Sequence, residues 1–305
     1  MRIAAIINPV AGAGPRGRLR DLWTALNGAG HRLDRRLTTG PGRARDLATN
    51  AVAASYDAVL VVGGDGTVCE VADGLAGSLT PLLIWPTGTE NLVANSLGFR
   101  PRPDALLAAL QNPLPQPLDL GQADGRSFVV VAGVGFDAEV VRRLARLRAG
   151  HITHLRDAGP LWRTFWEHRW PTLHITAQTP TGPFTWHGRG MAFVANMARY
   201  ALGLNVVRDA RPDDGLLDLL AMDCNNRRQL LGHALRTLRR RHIEHPAVRH
   251  VRCTRLTLAA DQPVPVEIVG VCAGLLPLNV AVRPNALRVL IPPRYPPPPL
   301  PSERL

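Results

Sequence analysis

The sequence predicts a three-layer α/β domain followed by an antiparallel β-sandwich. Two observations predict it. Over residues 1–110 short apolar runs alternate with helix-like stretches, the pattern of a parallel sheet covered by helices. From Leu118 onward many short β-rich runs follow one another between turns, the pattern of a sandwich. The length of 305 residues suits two domains of ~100–200 residues each.

In the first part Ile3–Ile7 reads as a strand, Arg18–Asn27 as a helix, Ala58–Val62 as a strand and Thr67–Ala76 as a helix. Leu82–Trp85 and Glu90–Leu97 repeat the strand–helix order. Residues 111–117, Gln-Asn-Pro-Leu-Pro-Gln-Pro, break the pattern and set the expected boundary, giving domains over 1–116 and 117–292. In the second part Ser127–Ala132, Thr172–Thr179, Gly190–Asn196, Leu216–Met222, Val251–Ala259, Pro277–Val282 and Ala286–Ile291 read as strands. Helical spacing is confined to Ala138–Ala149, Leu161–Glu167 and Arg227–His242. Residues 293–305 are a proline-rich tail.

Composition narrows the class. Hydrophobic residues make up 46% and charged residues 20%, a globular balance. No apolar run reaches the ~18 residues of a membrane span, and the first residues read as a strand and not as a signal peptide. Four cysteines without CxxC pairing point to a reducing cytoplasm and away from a zinc site. Net charge is +12, and all 36 basic residues are arginine. That balance reads either as arginine usage of a GC-rich genome or as attraction to an anionic surface. A chain without lysine cannot build the P-loop phosphate site, which needs one.

Three glycine-rich loops each follow a strand. Val61-Val62-Gly63-Gly64-Asp65-Gly66-Thr67 runs from a buried strand into a helix start, where bare backbone and free N–H groups suit a phosphate. Asp65 sharpens that signal. A carboxylate beside a phosphate is repulsive unless a metal bridges them or it takes a proton from an attacking hydroxyl. The competing reading is an N-cap, and the sequence leaves both open. The other loops are Pro86-Thr87-Gly88-Thr89-Glu90-Asn91 and Asn8-Pro9-Val10-Ala11-Gly12-Ala13-Gly14. Loops at the carboxyl ends of parallel strands are expected to meet in one crevice.

Taken in order, these loops together with Gly133-x-Gly135-Phe136-Asp137 and Asp213-Asp214-Gly215-Leu216-Leu217-Asp218 resemble the diacylglycerol kinase catalytic-domain family of bacterial lipid kinases and sphingosine and ceramide kinases. The resemblance implies a Rossmann-like nucleotide-binding domain, a β-sandwich lipid domain and an active site in the cleft between them. It implies an ATP- and Mg²⁺-dependent kinase that phosphorylates a hydroxyl of diacylglycerol or a related lipid. ATP contacts would fall at Asn8, Pro9 and Gly12, at Thr38, at Gly64, Asp65, Gly66, Thr67 and Glu70, and at Gly88, Thr89 and Asn91. Asp65 would be the catalytic residue organising the catalytic Mg²⁺, and the matching aspartate is regarded as the base in the sphingosine kinase branch. Asp214, with backbone oxygens near Arg211 and Leu216, would hold a structural Mg²⁺. The implied setting is bacterial phospholipid biosynthesis, in the cytoplasm and at the inner face of the membrane. The implied partners are a membrane lipid substrate and an anionic membrane surface, with no nucleic acid. A homodimer is left open.

Two positions depart from the family pattern. Glu90 stands where the family often has glycine. The family's Asp-Gly-Glu, whose glutamate is the usual general base, aligns with Val269-Gly270-Val271. Three explanations follow: Asp65 acts as base alone; Glu267 substitutes, although four strand residues span ~13 Å; or the chain binds nucleotide and lipid with weak turnover. An NAD kinase-like enzyme, which shares the glycine-glycine-aspartate-glycine loop, is a further alternative. The arginine-rich stretches Arg227–His242 and Arg142–Arg148 read either as membrane-facing helices or as helices with a solvated basic face.

Overall fold

Apolar runs too short for helices build the first sheet, and the glycine turns after them launch the helices that cover it. The computed structural model describes residues 1–11, 16–111, 113–147, 154–200 and 203–293. Gly12 with the end of its loop, Arg148 and the tail from residue 294 lie outside the described residues. The chain divides into two units: Met1–Pro117, joined by the chain from Leu287, and Leu118–Ala286.

The first unit runs β1 (Arg2–Ile7), α1 (Arg16–Gly28), β2 (Arg32–Leu37), α2 (Arg43–Ala53), β3 (Ala58–Gly63), α3 (Asp65–Leu75), β4 (Leu82–Pro86), α4 (Leu92–Ser96) and α5 (Pro103–Gln111). The strands are parallel in the order β2–β1–β3–β4. β3 and β4 are buried along their whole length, as central parallel strands are. α2 packs with α3, and α1 with α5. The order reverses between β1 and β3, which makes their carboxyl ends the topological switch point. The sequence reading passed over β2, whose Arg-Leu-Asp-Arg-Arg-Leu is mostly polar. Among the described residues it pairs only with β1, and an edge strand tolerates such charges.

The second unit begins with β5 (Gln116–Ala123), β6 (Arg126–Phe128), β7 (Val131–Val134), α6 (Phe136–Leu147), α7 (His154–Glu167), β8 (Thr172–Thr179) and β9 (Gly182–Ala195). It continues with β10 (Arg199–Tyr200), β11 (Leu204–Asn205), β12 (Leu217–Asp223), α8 (Arg227–Leu238), β13 (Val248–Cys253), β14 (Arg255–Ala260), β15 (Pro265–Ile268), β16 (Val271–Leu275) and β17 (Leu278–Val289). β9 joins two antiparallel layers. Its first half pairs with β8, and its second half pairs with β7 and β12. It bends at Gly190 (φ 144°), where a Cβ would stand 2.3 Å from the Met222 carbonyl oxygen. Phe128, Leu173, Val194, Leu219, Leu256, Val266 and Val280 are among the side chains that fill the core between the layers.

Several boundaries differ from the sequence reading. Val251–Ala259 is two strands broken at Thr254, whereas Pro277–Val282 and Ala286–Ile291 are parts of one strand, β17. From Leu287 this strand lies in the first unit, where Val289 pairs with Leu82. α7 begins before Pro160, a residue that reads as a helix start. Inside the helix the Thr164 hydroxyl donates to the Pro160 carbonyl oxygen at 2.8 Å. α8 stops at Leu238 because Arg239 caps it and Arg240 takes φ 57°. No helix among the described residues is long and apolar enough to cross a membrane.

Candidate functional site

Four loops at the carboxyl ends of β1 to β4 are tied to one another. Asn8, just after β1, donates from Nδ2 to the Thr67 hydroxyl at 2.9 Å, bridging the switch point to α3. Its Oδ1 accepts from the Val10 N–H at 3.1 Å and shapes its own loop. The Thr87 N–H donates to the Gly63 carbonyl at 3.0 Å. Glu70, on α3, accepts from the N–H groups of Gly42 and Ala44 at 2.9 and 3.1 Å, and so caps α2 and holds the loop that carries Thr38.

The closest approach is between two glycines. A Cβ on Gly88 would lie 2.6 Å from the Gly64 Cα, and one on Gly64 would lie 3.1 Å from the Gly88 Cα. Two strand–helix turns touch there backbone to backbone, which leaves the start of α3 without a side-chain roof. Asn91 holds the second turn. Its Oδ1 accepts from the Gly88 N–H and its Nδ2 donates to the Gly88 carbonyl, both at 2.8 Å. It sits in the left-handed region (φ 50°), which asparagine tolerates well.

Asp65 is the first residue of α3. Its Oδ1 accepts from the Val93 N–H at 2.9 Å, at the start of α4. Burial pushes its carboxyl above the usual range, and the N–H groups of Val93 and Leu92 pull it back down. The carboxylate therefore caps a helix, but a neighbouring one and not its own. It is oriented, and it holds a proton more readily than a solvated aspartate.

These residues fit a nucleotide phosphate chain. The leading N–H groups of α3 have no partner within the helix, Gly66 has open space where a Cβ would stand, and the buried Thr87 hydroxyl has no hydrogen-bond partner among the described residues. Asn8, Gly64, Asp65, Gly66, Thr67, Gly88 and Asn91 are brought together here. Thr89 is exposed at the rim, with Glu90 beside it. Thr38 lies in the loop after β2, which Glu70 holds from α3.

In the second unit Asp214 accepts from the Leu216 N–H at 3.1 Å and forms an ion pair with Arg252. The Arg211 side chain pairs with Asp213 at 3.0 Å. As arranged, the Asp214 carboxylate faces the Arg252 guanidinium. Sequence reasoning missed Asp119, a buried acid that accepts from the N–H groups of Gly215 and Asn285 at 2.6 and 2.8 Å. It staples the Asp213–Asp218 segment to β5. A lone acid within Pro-Leu-Asp-Leu-Gly was the available signal.

The last hairpin is now defined. Val269 (φ 50°) and Gly270 (φ 73°) form its two-residue turn, and Val271, 54% exposed, opens β16. Glu267 is fully buried. Its Oε2 accepts from the Gly270 N–H at 2.7 Å and its Oε1 from the Tyr200 hydroxyl at 3.1 Å. The same hydroxyl bonds to Asp137. Burial first, and then the charge of Asp137, push Glu267 well above its ordinary value. Burial likewise raises Asp137. Glu267 thus serves as an internal brace under the hairpin and does not stand free at its tip. The two carboxyls also explain Gly133, where a Cβ would meet Glu267 Oε1 at 2.7 Å. Arg142 and Arg143 fork onto Glu139, and Arg143 also reaches Glu167.

Comparison with known proteins agrees with this architecture. Residues 2–123 match the model of the diacylglycerol kinase catalytic domain. Residues 129–291 match the YegS C-terminal NAD kinase beta sandwich-like domain. The diacylglycerol kinase of Bacillus subtilis is 26% identical over 287 residues, covering 90% of this chain and 91% of that one. The diacylglycerol kinase of Mycobacterium tuberculosis is 29% identical over 321 residues, covering 95% of each. A crystal structure of a diacylglycerol kinase from Bacillus anthracis superposes with a TM-score of 0.68 at 18% identity, over 96% of this chain and 97% of the other. At that identity the likeness establishes the fold alone.

Proposed function

We propose, from the premise that this chain belongs to the diacylglycerol kinase catalytic-domain family, that it transfers the γ-phosphate of ATP to a hydroxyl of diacylglycerol or a related membrane lipid. The observation that carries the reading is the backbone contact of Gly64 and Gly88 beside an oriented, desolvated Asp65. The glycines and the start of α3 receive the phosphates. Asn8 and Asn91 fix the two loops that flank them. Asp65 accepts the proton of the lipid hydroxyl as that oxygen attacks phosphorus and the bond to ADP breaks. The Val93 N–H fixes its carboxylate for that role. Mg²⁺, when bound, neutralises charge developing on the phosphates, and Asp65 is the carboxylate of this loop cluster that would hold it. Because the acceptor sits in a bilayer, the protein works as a peripheral visitor to an anionic membrane surface, on its cytoplasmic side.

A second reading is favoured by Val271: a family member that binds nucleotide and lipid with slow turnover. Purified protein with radiolabelled ATP, Mg²⁺ and mixed-lipid vesicles tests both, with NAD as a competing acceptor. Labelled lipid that falls ~10²–10⁴-fold with Asp65→Asn supports the kinase. ATP binding without labelled lipid supports the second reading. Labelled NADP and no labelled lipid would replace both with an NAD kinase.

A further inference from the structure

α8 exposes an apolar stripe that its own unit does not cover. Leu230 and His233 turn inward, and the His233 Nε2 meets the Asp223 carbonyl at 2.9 Å. Leu231, Leu235 and Leu238 face solvent at 58%, 47% and 65% exposure. Arg227, Leu231, Leu235 and Leu238 are spaced four, four and three apart, so they form one row along the helix. The row continues onto α7. Arg227 lies over the Trp166 ring at 4.9 Å and donates to the carbonyls of Phe165 and Trp166. There Trp162 and Trp166, 64% and 49% exposed, cluster with Phe165 at ring distances of 5.5–6.2 Å. Two exposed tryptophans beside an exposed leucine row are unusual on a monomer surface unless the patch meets something.

The charge around the patch says what it meets. Residues 227–241 hold six arginines and no acid, and Arg228, Arg239, Arg240 and Arg241 are exposed. α7 carries two acids, Asp157 and Glu167, and Glu167 is held by Arg143 and Arg163. An apolar strip carrying tryptophan and edged by exposed guanidinium groups matches the interface of an anionic bilayer: rings and leucines at the acyl boundary, arginines at the phosphates.

We infer that the joined faces of α7 and α8, through Trp162, Trp166, Leu231 and Leu235 with the arginines from 239 to 241, form the surface that seats the protein on anionic phospholipid. The inference rests on the lipid kinase reading for why a bilayer is visited. Its test does not depend on turnover. Full-length protein is sedimented with vesicles of equal parts phosphatidylglycerol and phosphatidylcholine, and with phosphatidylcholine alone. Binding should require phosphatidylglycerol and weaken with salt. The pairs Trp162→Ser/Trp166→Ser and Leu231→Ser/Leu235→Ser should each lower the partition by ~10-fold or more. Arg239→Gln/Arg240→Gln/Arg241→Gln should remove most of the salt dependence. All of these positions are exposed, and unchanged melting temperatures confirm folding. Turnover of a short-chain diacylglycerol in free solution should be unaffected by the paired variants. Patch-dependent partition without turnover of any lipid supports this surface and overturns the kinase reading. Partition unchanged in both paired variants overturns the surface. So does a result in which they only convert a dimer to monomers, which would make the patch a seam between two copies.

Discussion

The Gly63–Thr67 turn and the Val269–Val271 hairpin both sit where family resemblance expects an acid to serve phosphoryl transfer, and they differ in what they keep. The first keeps Asp65, orients it with the Val93 N–H and desolvates it. The second keeps its turn geometry, with two positive φ values, but carries valine at both outer positions. One of those valines occupies the left-handed region, where a β-branched side chain is strained. Beneath it, Glu267 and Asp137 keep a braced acid pair out of solvent. The difference teaches that buried groups can hold a hairpin's turn whatever side chains stand at its tip.

The largest way to break the comparison is Val271→Glu. If only a base is missing there, lipid phosphorylation should rise, with a ceiling of ~10²–10⁴-fold. An unchanged rate, measured with labelled ATP, would show that Asp65 already suffices or that the hairpin takes no part. Next is Gly88→Ala. Its Cβ must displace the Gly64 backbone, so ATP affinity measured by calorimetry should weaken, and kcat/KM should fall ~100-fold for a shift of about an ångström. Smaller is Val269→Asn, which places a residue tolerant of φ 50° in the turn. It should raise stability by ~1 kcal/mol in denaturant titration, whereas the same change at a residue with ordinary φ should not.

The smallest effect sharpens the role of the buried pair. Glu267 and Asp137 have folded-state pKa values raised above their unfolded values. Their contribution is therefore present below the unfolded carboxylate pKa and is lost as pH rises through the folded one. Glu267→Gln keeps a carbonyl oxygen for the Gly270 N–H, turns an amide N–H toward the Tyr200 hydroxyl oxygen, and removes one titration. Its melting temperature relative to wild type should climb as pH increases. Parallel curves would show that the pair carries no shared proton.

The first unit was readable where its strands are central. Ala58–Val62 and Leu82–Trp85 are apolar because neighbours cover both faces, so their burial is written in their composition. β2 was not readable, since an edge strand can be polar. The second unit was read at the level of its class. Its strand ends were misplaced where β9 and β17 each continue through bends that look like turns. Among site residues, glycine, aspartate and asparagine announce themselves by type. Asp119 did not, because its role depends on Gly215 and Asn285, far away in the chain.

By itself the sequence determined the two fold classes, the three glycine loops and the family, because these rest on local periodicity and on residue types that only particular backbones need. The tertiary structure decided which groups face one another. It brought Gly64 against Gly88, turned the Asp65 carboxylate to the start of α4, withdrew Glu267 beneath its hairpin and joined Trp166 to the leucine row of α8 through Arg227. Each of these is a contact between residues distant along the chain. Their energies come from close approach and desolvation, which no local pattern encodes.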